Sequence, residues 1–155
     1  MLFEAFKKNR DERPGSPAFL VTVGDRYLPI SWKRFTDDID ATAQIVRRFA
    51  PGAIIGIMGE NSYEWMVVHA AILFTGATVT PVDANLQPVD IAERMRFLKA
   101  RALLVSTLNE AKGREVAKLC PGLVVTGFAS REVDAVMGAI EESLAEDPTQ
   151  SLWHQ

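Results

Sequence analysis

Apolar positions along the chain change their period several times, and each change marks an element. From Trp32 they recur every three or four residues, at Phe35, Ile39, Ala43, Val46 and Phe49, with Asp37, Asp38, Asp40, Arg47 and Arg48 between them. This predicts an amphipathic helix with a solvated acidic face, capped by Ser31 and stopped by Pro51-Gly52. The helical period then vanishes. Ala53, Ile54, Ile55, Ile57 and Met58 form a run too dense to alternate, as expected of a parallel strand, 54–58, covered on both faces. Gly59 supplies a turn. Asn61, with Glu64 three places on, forms a capping-box pattern for a helix starting at Ser62. Trp65, Val68, Ala71 and Ile72 recur on one face, with Trp65 as the buried anchor, and Gly76 falls where a left-handed C-terminal residue is wanted. Thr78 to Val82 follows as a β-branched strand.

The alternation continues downstream. Pro88 opens a helix carrying Ile91, Met95 and Leu98 on one side, and 102–106 is the next strand. Thr107 with Glu110 makes a second capping-box pattern for a weakly amphipathic helix ending near Leu119, and 122–126 is a fourth strand. Ser130 starts a last helix with Val133, Val136, Met137, Ile140 and Leu144. Upstream, Leu2–Asn9 reads as a helix, and 18–23 with 26–30 flank Gly24-Asp25 as a hairpin. The expected fold is α/β: a three-layer α/β/α arrangement with a mainly parallel, doubly wound sheet and an N-terminal β-hairpin. The predicted division is an arm 1–15, a single α/β domain 16–146 and a tail 147–155. Strand 54–58 is expected between 78–82 and 102–106, which places a switch point between 54–58 and 102–106. A crevice there would be lined by Gly59, Glu60, Asn61, Ser106 and Thr107.

Composition narrows the picture. The chain has 155 residues, 48% of them hydrophobic, with a formal charge of -3 and interspersed signs. That suits one domain and argues against a nucleic-acid stripe or a polybasic membrane face. The N-terminus puts its charges after a short apolar start, the reverse of a signal peptide, and the run 66–74 is interrupted by His69 and too short to span a bilayer. The expectation is therefore a cytoplasmic protein with no membrane span and no nucleic-acid partner. Cys120 is the single cysteine, which excludes an internal disulfide and a multi-cysteine zinc site. Its place before Pro121-Gly122 suits a spectator thiol.

Recognised catalytic patterns are missing. Gly52, Gly56 and Gly59 do not follow G-x-G-x-x-G, because Gly56 lies inside the strand, so they read as strand packing and one turn. There is no G-x-x-x-x-G-K-[ST] loop, no G-x-S-x-G elbow and no histidine pair at ligand spacing. His69 reads as a core-edge histidine hydrogen-bonded to backbone rather than as a base.

Four segments carry a resemblance. Ser16-Pro17-Ala18-Phe19, Leu28-Pro29-Ile30-Ser31-Trp32, GENSYEW at 59–65 and Gly76-Ala77-Thr78-Val79-Thr80-Pro81-Val82-Asp83 resemble, in order and spacing, the N-terminal part of the adenylate-forming (AMP-binding) enzymes. GENSYEW with Pro81-Val82-Asp83 is most similar to acyl-CoA-synthetase-like members. The resemblance implies a parent enzyme that activates a carboxylate with Mg-ATP to an acyl-adenylate and passes the acyl group to CoA or a carrier protein. It also implies that the phosphate loop, the nucleotide motifs and the catalytic lysine lie beyond the matched region. Asp147 to Trp153 resembles the strand leading into that loop. The chain is accordingly expected to be a truncated N-terminal subdomain with no turnover of its own. It would hold no catalytic residue, no metal and no cofactor; ATP, Mg and CoA belong to the parent. Its partner would be the missing C-terminal remainder, and self-association would follow from the uncovered apolar surface.

By the same resemblance, the loop after the second parallel strand lies near entering CoA. This nominates Asp83, Ala84 and Asn85, with Lys112 and Arg114 as phosphate contacts. The residues alone read as an ordinary solvated loop and helix face. Two other readings stay open at this level: a free-standing α/β binding or assembly module, and a divergent nucleotide-binding α/β domain.

Overall fold

The computed structural model describes residues 1–23 and 25–128. The helix expected from Ser130 and the tail 147–155 lie outside the described residues. The described chain falls into two compact units, one ending at Ile45 and the other beginning at Val46.

The first unit contains α1 (Leu2–Glu12), β1 (Pro17–Val23), β2 (Arg26–Ser31) and α2 (Trp32–Val46). Strands β1 and β2 pair antiparallel as the expected hairpin. Ser31 caps α2, its Oγ accepting from the Arg34 N–H at 3.1 Å. Rings from three elements converge on the fully buried Phe35: Phe6 of α1 at 5.3 Å, Phe19 of β1 at 4.7 Å and Trp32 at 6.1 Å between centroids. Tilted and edge-on aromatic pairs of this kind add to the area they bury. Helix α1 continues to Glu12, beyond the expected end at Asn9, and its last turn meets α2. There Arg10 bonds Asp37 at 3.3 Å, while Lys33 and Arg34 bond Asp37 and Asp38 at 2.6 and 3.1 Å. The two carboxylates are thus only 12% and 13% exposed, not the solvated face that the period of α2 suggested.

The second unit is the parallel sheet. It comprises β3 (Ile54–Met58), α3 (Tyr63–Phe74), β4 (Thr78–Val82), α4 (Pro88–Phe97), β5 (Ala102–Ser106), a 3-10 turn at Thr107–Asn109, α5 (Glu110–Leu119) and β6 (Val124–Phe128). The order across the sheet is β4-β3-β5-β6, with all neighbours parallel. Right-handed crossovers then put α3 on one face and α4 with α5 on the other, giving the three-layer arrangement. Met58, Leu103 and Val105 meet Ile91, Met95 and Val116 on the two-helix face. All five residues of β5 are buried. At Gly56 a Cβ would come within 2.8 Å of Leu103 Cδ1 and 2.9 Å of Met95 Sδ, which is why a glycine sits in mid-strand. Among the described residues, strand β4 is an edge. Its Thr78 N–H bonds the Ala53 carbonyl at 2.9 Å, so alternation turns Val79 and Pro81 outward, where a residue without an N–H is tolerated.

Three local expectations shift. The N-cap of α3 is Ser62, whose Oγ accepts from the Trp65 N–H at 3.1 Å; the helix begins at Tyr63, one residue later than an Asn61 cap would place it. Thr107 with Glu110 forms no capping box. Thr107 enters the 3-10 turn, and Glu110 pairs with Arg114 at 3.6 Å. Strand β6 starts at Val124 because Gly122 turns at φ +91° and the Leu123 N–H closes onto the Cys120 carbonyl.

Helix α3 also corrects the anchor. It is apolar nearly all round, and its buried residues are Val67, Val68, Ala70, Ala71 and Ile72; Trp65 is half-buried with its ring stacked on His69 at 5.0 Å. Small and β-branched residues let the helix approach the sheet, and the indole stays at its margin. Ile57 is the better test of the core, being fully buried on β3. Ile57→Ala is expected to cost about 2–5 kcal/mol in urea unfolding, and Trp65→Ala a smaller amount, about 1–2 kcal/mol. An equal or larger loss for Trp65→Ala would restore the indole as the anchor.

Candidate functional site

In an open doubly wound sheet, ligands lie outside the carboxyl ends of strands, where neighbouring connections leave in opposite directions. Here that point lies between β3 and β5. The chain leaves β3 for β4 on one side and β5 for β6 on the other, so the turns after both strands come together. A Cβ at Gly59 would stand 3.0 Å from Ser106 Cβ and 3.1 Å from Phe128 Cζ, so only glycine allows this approach without displacement. Glu60 follows and reaches across. The Ser106 hydroxyl donates to Glu60 Oε2 at 2.6 Å, Asn109 Nδ2 donates to Ser106 Oγ at 2.8 Å, and Asn109 Nδ2 also lies 3.5 Å from Glu60 Oε2. Ser106 is fully buried.

Of the five residues expected in this crevice, Gly59, Glu60 and Ser106 are brought together. Asn61 and Thr107 are exposed. Asn109 was not foreseen. Its signal was the three-residue spacing from Ser106, which the 3-10 turn converts into proximity because that helix repeats every three residues.

The second candidate is the loop from β4 to α4. Asp83 Oδ1 accepts from the Asn85 N–H at 2.9 Å and from its Nδ2 at 3.0 Å, a local turn stabilised by the carboxylate. Lys112 of α5 reaches this loop. Its ammonium donates to the Ala84 carbonyl, and to the Leu86 carbonyl at 3.1 Å. Gly113 lets α5 lie close to the sheet, since a Cβ there would come within 3.1 to 3.3 Å of Val105 and Val125. Arg114 is not part of this assembly. Two residues on from Lys112 it points round the helix, 70% exposed, toward Glu110. Asp83, Ala84, Asn85 and Lys112 therefore form one cluster, and Lys112 serves carbonyls in it.

A groove of 620 Å³ runs along β4 and α4, with Pro81, Val82, Leu86, Met95 and Phe97 as its apolar lining and Glu93 and Arg94 beside them. Phe97 is 86% exposed. His69 stacks on the Trp65 ring, without the expected backbone hydrogen bond among the described residues, and burial lowers its pKa from 6.5. Among the described residues, no three His, Cys, Asp or Glu side chains gather to hold a metal ion, and no helix is long and apolar enough to cross a membrane.

Two measurements follow. Lys112→Met removes both bonds to the loop, and hydrogen bonds from a charged donor contribute about 1.5–3 kcal/mol each when well buried. For this partly exposed lysine the expected loss is about 1–3 kcal/mol, with faster amide exchange at 84–87 and unchanged exchange in α3. Unchanged exchange at 84–87 would refute the brace. For His69, the unfolded chain takes up a proton at a higher pH than the folded chain. Stability should therefore fall as pH drops from above 6.5 to below the depressed folded value, and then level off. Wild type minus His69→Asn should show this fall; a difference flat with pH would refute it.

Comparison with known proteins sets these features in a family. A model of the AMP-binding enzyme family matches residues 6–151. Protein Y of Streptomyces griseus is 24% identical over 139 residues, covering 83% of this chain and 45% of its own. The anthranilate CoA ligase AuaEII, solved with anthranoyl-AMP, superposes at a TM-score of 0.70 with 16% identity, covering 87% of this chain and 26% of the ligase. The A-PCP didomain of carboxylic acid reductase from Segniliparus rugosus, solved with AMP, gives 0.66 with 17% identity, covering 93% of this chain and 23% of the didomain. The chain thus spans less than half of the curated relative and about a quarter of these two structures. With the family's model matched along nearly all of its length and its sheet shared with these adenylate-bound enzymes, the chain belongs to the AMP-binding enzyme family.

Proposed function

We propose that this chain is the N-terminal portion of an AMP-dependent ligase whose parent activates a carboxylic acid with Mg-ATP and transfers the acyl group to CoA, and that the chain alone does not turn over. The observation that carries the reading is the family match over 6–151 in a chain that spans only 45% of its curated relative and 26% of the CoA ligase structure. Acyl-adenylate formation needs charge stabilisation at the phosphates and a held Mg²⁺. Among the described residues, no group of three His, Cys, Asp or Glu side chains is assembled, and the Glu60 carboxylate is engaged by Ser106 and Asn109. The groups that hold Mg-ATP are assigned to the remainder of the parent.

For CoA the arrangement is more accommodating. Asp83, Ala84 and Asn85 form a fixed loop at the carboxyl end of β4, and Lys112 brings a positive charge beside it. An ammonium has three donors and two serve carbonyls, leaving one for a phosphate. Arg114, 70% exposed on the same helix, stays a further phosphate contact in this proposal. A cytoplasmic location is part of the same proposal. The groove beside β4, with Phe97 on its wall, is assigned to the remainder of the parent or, in its absence, to a second copy. That exposed groove also favours a second reading, in which the chain works as a free-standing binding or assembly module.

Pyrophosphate release with ATP, Mg²⁺, CoA and a broad panel of carboxylic acids is the direct test. No release above the buffer blank is expected, and carboxylate-dependent release would overturn the fragment reading. Sedimentation separates the two uses of the groove. Concentration-dependent dimers weakened by Phe97→Asp support an uncovered inner surface, whereas a monomer unaffected by that substitution favours the free-standing module.

A further inference from the structure

We propose that Glu60 is a resident anion: its carboxylate occupies the switch-point crevice and makes this end of the sheet refuse phosphate. The proposal stands on geometry alone and does not depend on the ligase reading. A phosphate held at such a crevice needs converging N–H and O–H donors. Those donors are present here and already committed. The fully buried Ser106 hydroxyl points at Glu60 Oε2 from 2.6 Å, and Asn109 Nδ2 bridges Ser106 Oγ at 2.8 Å and Glu60 Oε2 at 3.5 Å. The carboxylate therefore takes the donors an incoming phosphate would use, and adds like-charge repulsion against it. Space points the same way. Gly59 has Ser106 and Phe128 within 3.0 to 3.2 Å of where its Cβ would be, so the two turns close on each other with Glu60 as the group between them.

The carboxylate has a structural return as well. It joins the turn after β3 to the turn after β5, positions 46 to 49 residues apart in sequence. A ligand phosphate performs this bridging in nucleotide-binding sheets, and here a side chain performs it permanently. The specificity consequence is a chain whose most favourable fold position for a nucleotide is closed from within.

The test is to remove the resident anion and offer a free one. Glu60→Ala leaves the Ser106 hydroxyl without its acceptor and removes the longer Asn109 contact to Glu60, while Asn109 keeps its bond to Ser106 Oγ. Its thermal midpoint should rise with millimolar inorganic phosphate, by about 4 °C once phosphate is some tenfold above its dissociation constant, relative to sodium chloride of equal ionic strength. Wild type and the Glu60→Ala/Ser106→Ala double variant should show no such rise. A phosphate-induced rise in wild type equal to that of Glu60→Ala would overturn the proposal, as would no rise in Glu60→Ala. Should Glu60→Ala fail to fold, Glu60→Ser keeps a small polar group and is read in the same way. Independently of either variant, ³¹P line broadening of phosphate by wild type that disappears in Ser106→Ala would show an open anion site and refute the closure.

Discussion

The structure of the sheet depends on one requirement: β3 must be paired on both edges and covered on both faces. A parallel strand cannot pair with its neighbour through a tight turn, so each pairing of β3 demands a crossover helix, and right-handedness sends the helices to opposite faces. The short apolar run at 54–58 is stable only inside that arrangement. Its glycine shows how tightly the arrangement is drawn, since Leu103 and Met95 fill the space a side chain at position 56 would need. From the same requirement comes the meeting of two turns beyond β3 and β5, because β3 is flanked by strands reached in opposite directions.

Where those turns meet, polar side chains act as braces. Glu60 ties the turn after β3 to Ser106 and Asn109, and Lys112 ties α5 to the loop after β4 through the Ala84 and Leu86 carbonyls. In the first unit, Arg10 of α1 does the same for Asp37 of α2. Partly buried charges gain more from a fixed partner than exposed ones do, because less solvent competes for them. The braces order the carboxyl ends of the strands by joining turns and loops that are distant in sequence.

Much of the fold was legible in the sequence, since short-range physics sets it. The strands 54–58, 78–82 and 102–106, the proline opening α4, the serine capping α2 and the left-handed Gly76 at φ +78° each follow from a few adjacent residues. The order β4-β3-β5 was legible too, because chirality and burial leave few alternatives for alternating strands and helices. The candidate loop at Asp83 and Asn85 came from resemblance, and its internal turn from the ordinary habit of an aspartate to bond two residues on.

Tertiary structure decided which of several equivalent side chains found a distant partner. Asn61 and Ser62 are both good caps, and the helix took Ser62; Trp65 promised the largest burial, and the close approach of α3 gave that place to Val68, Ala71 and Ile72. Lys112 and Arg114 were alike as cations, but only Lys112 lies on the side of α5 that faces the loop. Asp37 looked solvated until α1 brought Arg10 to it, and Asn109 was an unremarked turn residue until Ser106 and Glu60 stood beside it. Among the described residues, the sequence by itself determined which elements form and their order along the chain, because those rest on neighbours a few positions away. The bracing polar contacts between elements join residues 26 to 49 positions apart, and their partners exist only once the sheet and helices have been packed.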